Sequence, residues 1–349
     1  MYKVKFTPYR KGLGTIMIRQ TAGFKGISSD GRYQFFINEK IEDPDFWVVQ
    51  GKGVREKESC MVAPENTLLL TTEPISVLAY PKRYTKQFGT VCSSQEQIKH
   101  KNLILCPAIL PWFVGYRKIK PQKYEYSLSY DQLINSRTPT KTKLISVITS
   151  NKAHTQGHLN RIRFVEKLKD YYGDKIDVFG RGFRNFDDKW DVLAPYKYHI
   201  ALENSSQKYY WTEKISDCYL AETYPIYYGC TNLSDYFPKD SFSAIDIKDF
   251  ESSIKIIDQV IAANTYEQKQ ARLKECKLKV LNEYNMFDYV AKICDRMNPS
   301  LPKKKVTIKP CRSTDSLHNV YNYMFRFSLF QFTQKIKEVI KGKSNLYQP

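Results

Sequence analysis

The sequence has no apolar run long enough to cross a bilayer, and its first residues, MYKVKFTPYRKG, lack the apolar core of a secretory signal peptide. We therefore expect a cytoplasmic protein that is at most peripheral on the inner face of the membrane. No P-loop and no Ser-His-Asp arrangement is apparent. The five histidines lack metal-ligand spacing and no Asp-x-Asp ends a strand, so we expect neither a metal site nor a cofactor.

The cysteines also lack a pattern, since no two of them form a C-x-x-C pair. Several lie inside apolar runs, which favours buried thiols over a zinc site or a disulfide framework. The eight positions are Cys60, Cys92, Cys106, Cys218, Cys230, Cys276, Cys294 and Cys311.

Acidic residues are few: 36 Asp and Glu stand against 55 Lys and Arg, for a formal charge of +19. This excess of positive charge has two interpretations. In the first, the protein is attracted to a polyanion, either nucleic acid or an anionic membrane surface; in the second, the lysines are simply spread over solvated faces. The 349 residues are 42% hydrophobic and 14% aromatic, which indicates a folded protein of about two domains.

The first half alternates candidate strands with helical stretches, which is typical of an α/β domain. NTLLLTTEP predicts a buried strand over 67–72, and a helix is expected around 77–88. We place this domain at residues 1–140. The polar, Pro-containing segment 117–143 is the candidate linker. The other predicted strands are KVKFTP, RYQFFIN, FWVVQG, GTVCSS and NLILCPA.

The pattern restarts at Leu144, where LISVITSN predicts a buried strand. A helix follows over HLNRIRFVEKLKDYYG, with Gly173 at its end, and IDVFGRG predicts the next strand. Residues 144–300 therefore resemble a doubly wound nucleotide-binding domain.

Residues 301–349 form a basic amphipathic tail with a predicted helix at 316–341. Residues 303–349 hold ten Lys and Arg against two Asp and Glu, a net charge of +8. This tail either lies on anionic lipid or packs its apolar stripe on the body.

A second strand–helix–strand unit lies between Tyr196 and Gly229. Thr212 is placed to cap its helix, so Lys214 falls in the first turn beside unpaired backbone N–H groups. Ligands of such sheets bind beyond the carboxyl ends of the strands. Glu203, Asn204, Lys214 and Gly229 are therefore expected to converge on one crevice, where a helix N-terminus and a lysine suit a phosphate. These features alone predict an anion site of nucleotide type.

The run YKYHIALENSSQKYYWTEKISDCYLAETYPIYYGCTNLSDYFPKDSFSAIDIKDF resembles the donor-binding motif of the family 10 glycosyltransferases, the α-1,3/4-fucosyltransferases. The shared elements are Leu-Glu-Asn-Ser, Thr-Glu-Lys, Pro-Ile-Tyr-Tyr-Gly and Phe-Pro followed by Ser-Phe. The run departs from the family pattern at Glu222, Tyr224 and Cys230, which bears on the identity of the donor sugar.

The resemblance implies a GT-B architecture, an α/β fold with two Rossmann-like domains facing each other across a cleft. It also implies an inverting transfer of L-fucose from GDP-β-L-fucose to a GlcNAc-containing glycan, of the surface glycan or lipopolysaccharide type. The second domain would bind the donor without a metal, and the first domain would bind the acceptor.

The resemblance also implies roles for individual residues. Lys214 would contact the diphosphate together with Arg161, for which Arg163 is the competitor. Glu213 would contact the donor sugar. The remaining donor-side candidates are Ser150, Asn151, Glu203, Asn204, Tyr210 and Thr212.

On the acceptor side, the general base is expected to be Glu73, which ends a strand of the first domain and could face the cleft. Glu65 is the alternative base. CPAILPWFVG places Trp112 and Phe113 near the cleft side of this domain, where aromatic rings could stack on an acceptor sugar. Trp112 is the candidate we choose, and core packing is at least as good an explanation.

Three other functions stay open from the sequence. The first is a GT-B transferase that uses another nucleotide sugar. The second is a basic nucleic-acid-binding protein, for which no recognition motif is found. The third is a silent glycan-binding module, which would bind GDP without turnover.

Overall fold

The computed structural model describes residues 1–10, 12–120, 123–151 and 156–314. The strands are β1 Tyr2–Thr7, β2 Tyr33–Ile37, β3 Phe46–Gln50, β4 Glu58–Val62, β5 Thr67–Leu70, β6 Thr90–Ser93, β7 Leu103–Leu105, β8 Tyr116–Lys120, β9 Lys123–Tyr126, β10 Lys143–Ile148, β11 Ile176–Phe179, β12 Tyr196–Leu202, β13 Tyr224–Tyr228, β14 Ser243–Ala244 and β15 Lys304–Ile308. The α-helices are α1 Gly14–Ile18, α2 Lys82–Thr85, α3 Tyr130–Ile134, α4 Gln156–Tyr172, α5 Glu213–Leu220, α6 Phe250–Ala262, α7 Thr265–Leu278, α8 Met286–Cys294 and α9 Cys311–Thr314.

The first sheet is parallel and has the strand order β2-β1-β3-β5-β6-β7. Its central strands β3 and β5 are buried along their whole length. Continuous burial is expected of a parallel sheet that is covered on both faces.

The second sheet is also parallel, with the order β11-β10-β12-β13-β14. The chain leaves β10 to one side for β11 and then crosses to the other side for β12. This reversal opens a crevice beyond the carboxyl ends of β10 and β12, where doubly wound sheets bind their ligands. The predicted α/β class with two Rossmann-like units is confirmed.

Two local predictions in the first half are wrong in extent. The helix expected around 77–88 is limited to α2, because Pro81 precedes it and has no N–H for an earlier helical hydrogen bond. The strand expected over 67–72 ends at Leu70.

The candidate linker 117–143 is more structured than predicted. It contains most of the antiparallel hairpin β8–β9 and the helix α3. Ser129 and Gln132 form a reciprocal capping box at the start of α3, a signal that the sequence carries.

The chain returns to the first sheet near its C-terminal end. Helix α8 packs in the core of that sheet, and β15 forms a separate two-stranded antiparallel sheet with β4, whose buried residues pack with those of β3 and β5. Residues 286–308 therefore pack against the first sheet, although we placed them in the second domain and the tail. The domain boundaries and the tail's role stay predictions, and the helix expected at 316–341 lies outside the described residues.

The prediction of buried thiols is confirmed, since all eight cysteines are buried and none of them forms a disulfide. Across the described residues, no helix is both long enough and apolar enough to span a membrane.

Candidate active site

A cavity of about 420 Å³ opens beyond the carboxyl ends of β10, β11 and β12, at the reversal of the second sheet. Its walls combine backbone from the strand ends with cationic side chains. The lining residues are Ile148, Thr149, Ser150, His158, Arg161, Gly180, Arg181, Asn185, Phe186, Lys189, Leu193, His199, Ala201, Leu202, Asn204, Glu213 and Lys214.

Thr212 and Glu203 fix the start of α5 at the edge of this cavity. Thr212 is the N-cap, and its hydroxyl accepts from the backbone N–H of Lys214 at 3.4 Å and donates to Glu203 at 2.8 Å. Glu203 is fully buried and also accepts from the backbone N–H of Thr212 at 2.8 Å. A Cβ on Gly229 would lie 2.4 Å from Cγ of Glu203, so this close approach requires glycine.

Lys214 lines the cavity with its ammonium group between two carboxylates. Its Nζ lies 3.2 Å from Oε2 of Glu203 and 3.5 Å from Oε1 of Glu213. Burial lowers the pKa of Lys214, but the two carboxylates outweigh burial, so the pKa is raised and the side chain stays charged.

Arg161 lines the cavity from α4 and is 6% exposed. Its Nη1 donates to Oδ1 of Asn204 at 2.8 Å and to the carbonyl of Leu202 at 3.3 Å. Its buried Nε has no hydrogen-bond partner among the described residues. Arg163 is exposed and does not line the cavity, so Arg161 is the arginine of the pair at the site.

The other predicted donor residues divide into two groups. Ser150, Asn204 and Glu213 line the cavity beside Arg161 and Lys214. Asn151 is exposed to solvent and does not line the cavity. Its backbone N–H donates to the carbonyl of Arg181 at 2.9 Å. Tyr210 is 1% exposed and lies outside the cavity lining, like Glu203 and Thr212.

Lys189 is a cavity residue that sequence reasoning missed. Its Nζ lies 2.9 Å from Oδ2 of Asp217 and 3.5 Å from Oε1 of Glu213. Burial raises the pKa of Glu213, but Lys214 and Lys189 together lower it to about 2. Lys189 stands in a short 3-10 turn before β12, where no periodicity or motif separates it from an ordinary loop lysine.

The buried charges around the cavity balance one another. Three cations are neighbours of three carboxylates, so a bound diphosphate would share the cations with these carboxylates. The six residues are Arg161, Lys189, Lys214, Glu203, Glu213 and Asp217.

Glu73 follows β5 at the carboxyl end of the first sheet and is partly buried. Burial raises its pKa; Lys214 opposes this rise and Glu213 adds to it. Charges of the second sheet's site therefore act on Glu73, and its role as the base facing that site stays a prediction. Glu65 precedes β5, at the opposite end of the strand, and lines a separate cavity with Lys86.

Trp112 is a core residue, and the prediction that it stacks on an acceptor sugar is wrong. Its side chain is 2% exposed, and the guanidinium of Arg19 lies 4.8 Å from its ring centroid. The Trp112 carbonyl accepts hydrogen bonds from Arg19 at 2.9 Å and from Gln20 at 3.1 Å.

No group of three or more metal-ligating side chains occurs in the part of the chain that the structure describes.

Residues 138–307 match the family model described as glycosyltransferase family 10 (fucosyltransferase), C-terminal part. The chain is 36% identical over 74 residues to "Alpha-(1,3)-fucosyltransferase FucT" of Helicobacter pylori, covering 21% of this chain and 16% of that protein. It is 30% identical over 119 residues to mouse (Mus musculus) "4-galactosyl-N-acetylglucosaminide 3-alpha-L-fucosyltransferase 9", covering 33% of this chain and 31% of that protein. The chain thus spans less than a third of the length of either relative.

Two solved structures are similar over most of the chain. An α1,3-fucosyltransferase with GDP-fucose matches with a TM-score of 0.48 and 16% identity, covering 86% of this chain and 92% of that one. An α-glucosyltransferase in complex with UDP and a 13-mer DNA matches with a TM-score of 0.50 and 8% identity, covering 85% and 100%. The structural similarity to the α-glucosyltransferase supports the predicted fold of two Rossmann-like domains.

Proposed function

We propose that this protein transfers L-fucose from GDP-β-L-fucose to a GlcNAc-containing glycan, because residues 138–307 match the family model of glycosyltransferase family 10. The observation that carries the proposal is the position of Lys214 and Arg161 in one cavity at the reversal of the second sheet. A lysine at a helix N-terminus beside a buried arginine suits a diphosphate.

The three departures from the family motif lie away from the cavity, which supports fucose as the donor sugar. Glu222 is bound to Lys277 at 2.8 Å and to Thr138 at 2.7 Å. The hydroxyl of Tyr224 contacts Ser243, and Cys230 is buried beside Asn232. None of the three lines the cavity, so they do not shape the sugar pocket directly.

The proposed reaction is a single inverting displacement. The acceptor oxygen attacks C1 of fucose, the bond between C1 and the phosphate oxygen breaks, and GDP leaves with the electron pair. The proton of the acceptor hydroxyl passes to Glu73, and Lys214 with Arg161 stabilises the charge on the departing diphosphate. The protein supplies this charge from its own side chains, so we propose that the reaction needs no metal ion.

We propose as acceptor a surface glycan or a lipopolysaccharide-type oligosaccharide, built in the cytoplasm or at the inner face of the membrane. The excess positive charge would then favour peripheral contact with anionic lipid. Nucleic acid is not part of the proposal.

A direct assay tests this function. The purified full chain is incubated with GDP-fucose and the disaccharide 4-galactosyl-N-acetylglucosamine, with parallel reactions containing GDP-mannose or UDP-sugars. Among these donors, we expect only GDP-fucose to give a glycosylated product. The yield should be the same when EDTA is added to remove metal ions. Transfer from another sugar nucleotide in its place would support a different GT-B transferase, and binding of GDP without any transfer would support a silent glycan-binding module.

A further inference from the structure

Three partly buried aromatic rings form a continuous strip along the edge of the β8–β9 hairpin. Phe113 and Tyr116 have ring centroids 5.6 Å apart, and Tyr116 and Tyr124 have centroids 5.7 Å apart. We call Phe113, Tyr116 and Tyr124 the aromatic strip. Unlike Trp112, which is enclosed in the core, each of the three remains partly accessible to solvent.

One end of the aromatic strip contacts a residue that lines the cavity. Nζ of Lys189, a cavity residue, lies 5.3 Å from the ring centroid of Phe113. From that point Tyr116 and Tyr124 continue the strip along the hairpin. A molecule lying on these rings would therefore have one end close to the cavity that we propose for the nucleotide sugar.

Two buried aspartates of the second domain hold the segment that carries the strip. Oδ1 of Asp217 accepts from the backbone N–H of Phe113 at 2.8 Å. Asp188 accepts from the backbone N–H of Gly115 at 2.9 Å and from the hydroxyl of Ser127 at 2.6 Å. Buried, charge-assisted hydrogen bonds are strong, so the position of the strip relative to the cavity is fixed.

The loop after β1 lies close to the strip. The guanidinium of Arg10 lies 5.1 Å from the ring centroid of Tyr9. Burial raises the pKa of Tyr9, and the charges of Tyr116, Glu213 and Glu73 add to that rise despite Arg10. Burial lowers the pKa of Arg10, whereas Tyr9 and the strip's Tyr116 and Tyr124 raise it, so this loop interacts electrostatically with the strip.

We propose that the aromatic strip is the acceptor subsite, where a pyranose of the acceptor oligosaccharide stacks its C–H face on the rings. This proposal rests on the proposed function. Rigid, partly exposed aromatic rings give a large contact area and few torsions to immobilise, which suits a flexible sugar. The strip joins partly exposed rings to Phe113 beside Lys189 of the cavity, so a stacked sugar would have one end directed toward the cavity.

The test uses the full-length double variant Tyr116→Leu/Tyr124→Leu, which keeps apolar bulk, and the single variant Tyr124→Leu in case the double variant does not fold. The matched control is Tyr126→Leu, a residue of the same strand whose ring packs 5.1 Å from that of Phe24. KM for 4-galactosyl-N-acetylglucosamine is measured together with the Kd for GDP.

We expect the strip variants to raise the acceptor KM roughly three- to tenfold with an unchanged Kd for GDP. Tyr126→Leu should change neither value. An unchanged acceptor KM in a folded strip variant, or an equal rise in Tyr126→Leu, would overturn the acceptor subsite while leaving the proposed function intact. A wild-type protein that binds no GDP and transfers no fucose would instead overturn the proposed function itself.

Discussion

At the residue scale, Lys214 is the proposed contact of the donor diphosphate at the start of α5. Its ammonium group is held by two buried carboxylates, so its position is set before any ligand arrives. Such preorganisation avoids the cost of ordering a flexible lysine when the diphosphate binds.

Replacing Lys214 with alanine should weaken GDP binding roughly a hundredfold, or about 2 to 3 kcal/mol. The variant loses a charge-assisted hydrogen bond to the diphosphate. It also removes the cation between Glu203 and Glu213, so these carboxylates would repel the diphosphate. Isothermal titration calorimetry with GDP measures the change. Lys208→Ala removes an exposed lysine six residues earlier and serves as the control. Equal affinities of the two variants would argue against Lys214 as a diphosphate ligand.

Glu73 should matter for turnover and not for donor binding. Glu73→Gln is expected to lower kcat by roughly 10² to 10⁴, with the Kd for GDP unchanged. Glu65→Gln, at the other end of the same strand, is the matched control and should retain activity. A fully active Glu73→Gln variant would show that the base is another group.

The pH dependence of the wild-type rate gives an independent check on Glu73. Burial raises the pKa of Glu73 above its ordinary value of 4.5, and a base acts in its deprotonated form. The rate should therefore rise with pH through a midpoint above 4.5, and this acidic limb should vanish from the residual rate of Glu73→Gln. A limb that persists in the variant would assign the titration to a different residue.

Sequence reasoning brought residues together where a motif combined with strand-end geometry, and their individual roles stay predictions. Lys214, Arg161, Asn204, Ser150 and Glu213 all line one cavity. Sequence reasoning failed for Trp112, because an aromatic residue near a strand end has the same sequence pattern whether it packs inward or lines a cleft.

At the scale of elements, α5 and the β8–β9 hairpin form one unit through Asp217. One carboxylate oxygen of Asp217 accepts from the backbone of Phe113, and the other binds Lys189. We predicted the hairpin segment as a linker because its polar, Lys-rich residues show no buried face in the sequence. Its contacts come from aspartates 61 to 104 residues away in the chain, which no local pattern reveals.

Asp217→Ala should loosen the hairpin and lower stability by about 3 to 5 kcal/mol, because Lys189 loses its closest buried partner. Thermal unfolding measures the stability, and hydrogen exchange of the Phe113 amide reports on the hairpin. Asp174→Ala, which removes an exposed carboxylate, should leave both unchanged. If the Phe113 amide keeps its protection in Asp217→Ala, Asp217 is not the anchor of the hairpin.

At the scale of the whole molecule, the two parallel sheets were predictable because buried strands and amphipathic helices alternate along the sequence. The return of the chain was not predictable: near the C-terminal end, α8 packs on the first sheet, and β15 forms a separate two-stranded sheet with β4. Pairing between β4 and β15 joins residues more than 240 positions apart, and periodicity within a segment carries no information about such a partner.

The second sheet places Lys214 and Arg161 in one cavity at its reversal, and this arrangement is the basis of the proposed function. The crystal structure of the protein soaked with GDP tests it most directly. We expect the diphosphate in the cavity beyond β10 and β12, in contact with Lys214 and Arg161. GDP bound at any other place, or no GDP bound at saturating concentration, would contradict the account.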